Sequence, residues 1–196
     1  MAKRIFDLCF SAIGLVLLLP FFVIISLFIL TDTKGAIFYT QKRVGKGNRE
    51  FNLLKFRSMY QGAEMAGLLT IGERDSRITK SGKWLRKYKL DELPQLINIL
   101  TGDMSVVGPR PEVRKYVNLY TAEQMKVLSV RPGLTDYASL NYINENKILD
   151  SYHDPEKAYV EIIMPAKLKL NLQYIAEKNL INDLRIVFQT LVRIIR

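Results

Sequence analysis

Between Leu8 and Leu30 the chain carries no charged residue, and most positions are Leu, Ile, Val or Phe. As a helix this run would reach roughly 34 Å at about 1.5 Å per residue, enough for the hydrocarbon core of a bilayer. It is too long for the apolar core of a cleaved signal and ends without a small-x-small pattern, so it reads as a resident membrane segment. Its flanks constrain how it sits. Lys3 and Arg4 precede the run and the remaining chain holds most of the excess positive charge. The cytoplasmic preference of basic flanks therefore pulls both ends to one side. Pro20, near the middle, lacks a backbone donor and clashes with the preceding turn, which kinks or breaks a helix. These features predict a re-entrant helix hairpin over residues 1–33, bent at Pro20 and returning to the face it entered. A plain kinked span is the alternative.

Charge and reactive side chains narrow the chemistry. There are 29 Lys+Arg against 19 Asp+Glu, a formal charge of +10. That balance suits an anionic partner: nucleic acid, phosphorylated small molecules or an anionic membrane face. The single cysteine, Cys9, excludes an internal disulfide and a thiolate zinc site, and is expected as a small buried hydrophobe. The single histidine, His153, is expected at the surface in a polar connector beside Asp154 and Pro155. A hydrolytic triad or a His-rich metal centre has too few residues to draw on, so the chemistry must lean on carboxylates and cations.

Beyond residue 33 the pattern predicts one mostly helical α+β domain, 34–196. Ile37–Thr40 and Phe51–Phe56 read as strands of a short β-hairpin across the turn-rich Gly45–Asn48. Tyr60–Arg77 reads as a polar loop or short helix. Lys80–Leu90 has the form of a basic amphipathic helix around Trp84 and Leu85, and another helix follows Pro94 and stops at Gly102. From Asn182 the polar positions Asn182, Arg185, Gln189, Arg193 and Arg196 recur at helical spacing, opposite a wide apolar face. That pattern suits a helix at a membrane interface or one packed on the core.

Leu90-Asp91-Glu92-Leu93-Pro94-Gln95 is the most informative stretch. Pro94 disfavours helix at Leu93 and suits the first turn of a new one. A break there lets adjacent carboxylates, about 100° apart in a regular helix, aim into one site. Acids capping a helix would give the same pattern. Arg86, Lys87 and Lys89 lie just upstream, enough cation for a diphosphate. Pro109 and Pro111 fix the backbone around Arg110, whose planar fork is then preset for phosphate oxygens. Arg131-Pro132-Gly133 repeats the idea more weakly, and Lys55 and Arg57 add cations at a strand end.

Lys55-Phe56-Arg57-Ser58-Met59, Leu90 to Gln95, Gly102-Asp103-Met104-Ser105, Gly108-Pro109-Arg110-Pro111 and Arg131-Pro132-Gly133 follow the apolar hairpin in order. The ordered set resembles the bacterial sugar transferase family, the monotopic phosphoglycosyl transferases. The resemblance implies Asp91 as nucleophile, Glu92 as its acidic partner, and Mg²⁺ held by Asp91 and Glu92. It implies Arg110 on substrate phosphate, with Lys55, Arg86 and Arg131 in support. It further implies a UDP-sugar and a polyprenyl phosphate as substrates, membrane lipid as partner and a catalytic domain on the cytoplasmic face of the bacterial inner membrane. Assembly into a homo-oligomer is left open. The chain departs from the better-known small members in Leu134–Leu140, after Arg131-Pro132-Gly133, and in having Asn171 where many carry an aspartate. A membrane-tethered nucleic-acid binder using Lys80–Lys89, or an inactive scaffold, would need neither the acidic pair nor the Pro-Arg-Pro loop, so no nucleic-acid partner is expected.

Overall fold

In the computed structural model, which describes residues 1–67, 69–72 and 75–195 (the side chains of Glu64, Ala66, Ile194 and Ile195 apart), the apolar run forms helix α1, Ala2–Asp32. Pro20 lies inside it. The proline thus does not divide the run into two separate arms: it removes one hydrogen bond, and the ladder closes on either side. Both ends of α1 pack on one body. Phe6, Phe10, Leu15 and Leu18 meet the cluster of Leu53, Leu96, Ile99 and Met104, while Phe22, Ile25 and Ile29 meet Phe56 and Leu85. The outward positions stay bare, with Val16 73% and Leu17 69% exposed. Cys9 is exposed on this helix rather than buried.

Polar contacts fasten each end. Arg4 donates to the carbonyls of Ile99 (2.7 Å) and Leu100 (3.1 Å), and Lys3 pairs with Asp183 at 2.6 Å. Asp7 accepts from the Ser105 hydroxyl and, at 3.0 Å, from the Val106 N–H. At the far end Asp32 accepts from the Ser81 N–H at 2.7 Å.

Strands β1 (Phe38–Val44) and β2 (Glu50–Phe56) form the expected antiparallel hairpin, longer than the sequence pattern indicated, with Phe38 opposite Phe56 and Val44 opposite Glu50. Helix α2 (Lys80–Lys87) and helix α3 (Gln95–Thr101) follow, and Gly102 at φ +97° ends α3 in the left-handed region where glycine costs least. Asn98 of α3 ties itself to β2, accepting from the Leu54 N–H and donating to the Asn52 carbonyl, each at 2.9 Å.

A second, parallel pair was not evident from the sequence: β3 (Ser105–Val107) beside β4 (Gly133–Thr135). Three residues are too few to show an alternation. The pair depends on two glycines, since a Cβ on Gly133 would stand 2.1 Å from the Gly108 nitrogen.

Short helices α4 (Arg114–Val117), α5 (Tyr137–Asn141), α6 (Glu145–Asp150) and α7 (Pro155–Ala158) lead through a π-turn into α8 (Met164–Glu177) and α9 (Leu180–Ile195). The π-turn carries Tyr159 and Ile163 into a second core with Tyr116, Leu149 and Leu168. α9 buries Asp183 and Ile186 and leaves Ile181, Leu184, Phe188 and Leu191 exposed in a stripe. Arg196 and the side chains of Ile194 and Ile195 lie outside the described residues, as do Leu68, Glu73 and Arg74 of the Tyr60–Arg77 connector. His153 is exposed, as expected.

Candidate active site

The acidic pair sits in a single 3-10 turn, Leu90–Glu92, between α2 and α3. The helix break that frees it lies at Lys89, which takes a left-handed conformation (φ 55°, ψ 20°). It does not lie at Leu93, whose backbone is helical. The restriction before a proline is a bias, and the Leu93 N–H closes a 3.2 Å bond to the Leu90 carbonyl that overrides it. Asp91 and Glu92 are both buried.

Their surroundings differ. Glu92 receives the Arg110 fork on both oxygens, with Nη1 to Oε2 at 3.0 Å and Nη2 to Oε1, and Lys55 Nζ reaches Oε1 at 3.1 Å. Asp91 Oδ1 is buried with no hydrogen-bond partner among the described residues. Burial therefore pushes the Asp91 carboxyl above its ordinary 3.8, with Lys55 opposing and the Glu92 charge adding to the rise. Burial acts on Glu92 in the same sense, but Arg110 and Lys55 outweigh it and hold that carboxyl well below 4.5. Burial lowers Lys55 below its ordinary range against the pull of Glu92, and Glu92 raises Arg110 further. Neighbouring acids pushed apart in this way are suited to different chemical roles.

The loop that carries Arg110 is braced on three sides. The Gly133 N–H donates to the Pro109 carbonyl at 3.0 Å, and the Arg110 N–H to Asp136 Oδ2 at 3.2 Å. Arg43 of β1 donates to the Pro111 carbonyl (3.1 Å) and to Glu112 (3.0 Å), and the Tyr159 hydroxyl also donates to Glu112. Arg43, Glu112 and Asp136 were not singled out from the sequence. Asp136 caps α5 through the Ser139 N–H, and an aspartate just before a helix is a readable signal. Arg43 and Glu112 stand 69 positions apart, where no local pattern joins them.

Lys55, Arg86, Asp91, Glu92 and Arg110 line one cavity of about 760 Å³, and Phe10, Gly14 and Leu18 of α1 contribute to its wall. Arg86 donates to Thr70 Oγ1, on the wall of the same cavity, at 2.8 Å. Arg131 is not brought there: its Nε donates to the Gly102 carbonyl at 2.7 Å on an exposed surface, because pairing of β4 with β3 directs this turn toward the end of α3. Asn171, also on the cavity wall, is buried with Oδ1 unpartnered. Among the described residues no three acidic, histidine or cysteine side chains group as metal ligands. A buried carboxylate with a free oxygen beside fixed cations is an arrangement for meeting a phosphorylated ligand.

Comparison with known proteins agrees with the motifs. A Bacillus subtilis (strain 168) relative is 47% identical over 110 residues, 56% of this chain and 62% of its own. The "UDP-N-acetylgalactosamine-undecaprenyl-phosphate N-acetylgalactosaminephosphotransferase" of Aeromonas hydrophila is 40% identical, covering 70% of this chain and 33% of its own. The "Undecaprenyl-phosphate glucose phosphotransferase" of Komagataeibacter xylinus is 33% identical, covering 97% and 35%. The chain thus spans between about a third and three fifths of the length of these relatives. Residues 1–196 match the bacterial sugar transferase family throughout, and with that match, the ordered motifs and the acidic turn, the chain belongs to that family.

Proposed function

We propose that this protein moves a sugar 1-phosphate from a UDP-sugar to undecaprenyl phosphate and releases UMP, as the first membrane step of a bacterial glycoconjugate pathway. Capsule, exopolysaccharide, O-antigen and glycoprotein glycan assembly are all compatible with it. The observation that carries the reading is the buried Asp91 carboxyl, with an unpartnered oxygen, facing the Lys55–Glu92–Arg110 cluster in a cavity walled partly by the apolar helix. Asp91 attacks the sugar-bearing phosphorus. The bond to the UMP oxygen breaks, UMP leaves with the electron pair, and a phosphosugar-aspartyl ester remains. An oxygen of the lipid phosphate then attacks the same phosphorus, and Asp91 returns as carboxylate. Arg110 and Lys55, preset by Glu92, stabilise charge on the transferring phosphoryl oxygens. Glu92 in this reading holds the two cations in place.

The donor set suits Mg²⁺ at Asp91. Its orphaned oxygen seeks a cation or a proton, and Mg²⁺ commonly takes only one or two carboxylates, filling its shell with water and substrate phosphates. Both Glu92 oxygens are already engaged, so Glu92 would join only by giving up a contact to Arg110 or Lys55. When bound, the ion supplies charge neutralisation of the diphosphate.

The packing of α1 supports a re-entrant arrangement on the cytoplasmic face of the inner membrane. Arg4 and Asp7 hold its start, and Asp32 its end, to the same body, whereas a crossing helix separates its ends by the bilayer. Incubation with a UDP-sugar and Mg²⁺ without lipid should add the mass of one sugar phosphate to Asp91 and release up to one equivalent of UMP. Normal turnover by Asp91→Asn, or an adduct elsewhere, refutes the assignment.

A further inference from the structure

Arg57 is used by none of the chemistry above. It is 6% exposed, and its guanidinium donates to the carbonyls of Lys34 (2.6 Å) and Thr33 (2.7 Å), just past the end of α1. Its Nε is buried without a partner, and among the described residues no carboxylate pairs with it. Carbonyls satisfy donors without cancelling charge. The C-terminal end of a helix offsets roughly half a unit of charge, so this cation is left under-compensated. Thr33 Oγ1, close by, is likewise buried and unpartnered. Thr33 and Arg57 line a recess together with Lys34, Tyr60 and Gln61. Arg57, Tyr60 and Gln61 also line the cavity that holds Asp91, so the two spaces adjoin. Gly35, at φ +123°, keeps the arrangement open, since a Cβ there would stand 2.2 Å from Arg57 Nη1.

We infer that this recess is a docking site for a phosphate group carried by a membrane lipid, held by Arg57 and Lys34 with the Thr33 hydroxyl. The two cations and the hydroxyl match a phosphate's acceptor oxygens, and the site begins one residue after a membrane-length apolar helix, where a lipid headgroup arrives. From there the phosphate enters the Asp91 chamber without leaving the protein surface. Identification of that lipid as the transfer acceptor rests on the proposed function; the phosphate site itself does not.

Full-length protein in nanodiscs gives the test, with Arg57→Lys and Lys34→Gln. The exposed Lys34 side chain makes no hydrogen bond or ion pair among the described residues, so Lys34→Gln remains informative if Arg57→Lys fails to fold. The KM for undecaprenyl phosphate should rise about tenfold in each variant, as for one lost charge-assisted contact, while the KM for the UDP-sugar stays within about twofold. An unchanged acceptor KM with lost stimulation by phosphatidylglycerol assigns the site to an ordinary phosphodiester headgroup. Inorganic phosphate that competes with the acceptor in the wild type, and not in the variants, gives the same phosphate assignment from the free ion. Silence of Lys34→Gln in all three arms, with Arg57→Lys raising both KM values and lowering the melting temperature, marks Arg57 as a carbonyl brace and overturns the site. If the wild type transfers no sugar phosphate, the proposed function falls. Equilibrium binding of undecaprenyl phosphate to wild type and Lys34→Gln then decides the inference, and equal affinities refute it.

Discussion

Two buried aspartates, one at the foot of α1 and one in the turn after α2, have opposite surroundings. Asp7, 2% exposed, accepts from the Ser105 hydroxyl and the Val106 N–H and fastens the apolar helix α1 to β3. Asp91, 5% exposed, keeps an oxygen with no partner. At the foot of α1 the neighbouring charges are also met: Arg4 caps the carbonyls of α3, and Lys3 pairs with Asp183, which in turn accepts from the Tyr174 hydroxyl at 2.7 Å. In the turn after α2 the cations are spent on Glu92. Burying a carboxylate costs free energy unless donors replace the lost water. One region has removed that cost and gained a joint; the other retains it, as a site that must meet a ligand does.

The largest effect should come from Asp91→Asn. Turnover should fall by at least about a thousandfold, or about 4 kcal/mol in the barrier. Stability should move the other way. With the folded-state pKa raised above 3.8, the folded protein holds the proton more tightly, so stability is lost as pH rises from 3.8 through the raised value. Above the raised value the penalty is complete, and there Asp91→Asn should be about 1 kcal/mol more stable than wild type by chemical denaturation. A destabilised variant would break the contrast with Asp7.

Glu92→Gln should destabilise by about 3 kcal/mol, because Arg110 and Lys55 lose the charge that holds them inside. Glu92 is held well below 4.5, so its contribution is present above that pH and is lost as pH falls through the depressed value. The difference between Glu92→Gln and wild type should therefore be complete at pH 7 and shrink in strong acid.

Asp7→Asn should cost about 1.5–3 kcal/mol: the amide oxygen can still accept from the Val106 N–H and its NH2 can donate to the Ser105 hydroxyl, but the charge that strengthens both contacts is lost. Properly inserted protein should keep its KM for the UDP-sugar, which separates a joint from a site. A rise of that KM would merge the two regions.

The smallest effect is a change of profile. The rate should fall in acid as Asp91 takes a proton at a pH above 3.8, and in base as Lys55 loses one below 10.5. Lys55→Arg should remove the alkaline limb and leave the acid limb, as measured by kcat against pH.

Local rules made much of this fold readable. The β-hairpin, α2, α3 with its Gly102 stop and the periodicity of α9 follow from turn residues and from spacings of two, three or four. The adjacency of Asp91 and Glu92 was readable too, and so was the fixed backbone around Arg110. Arg110 and Arg131, each beside a proline, were both expected near substrate phosphate, with Arg131 the weaker of the two. One enters the cavity and the other bonds the outer end of α3, depending on how β3 pairs with β4. The break before the acidic turn also moved, from Leu93 to Lys89, because a lysine in the left-handed region has no sequence signature.

The sequence by itself determined a membrane-length apolar helix, a basic stretch behind it and an acidic pair beside cations. Each of these is a property of neighbouring residues and of composition. Only the tertiary structure decided which acid would be neutralised, since Lys55 and Arg110 reach Glu92 from 37 and 18 positions away. It also decided that both ends of α1 would rest on the same body, and that Asp7 would be satisfied while Asp91 would not. Charge compensation inside a protein depends on distance and burial, and neither is written along the chain.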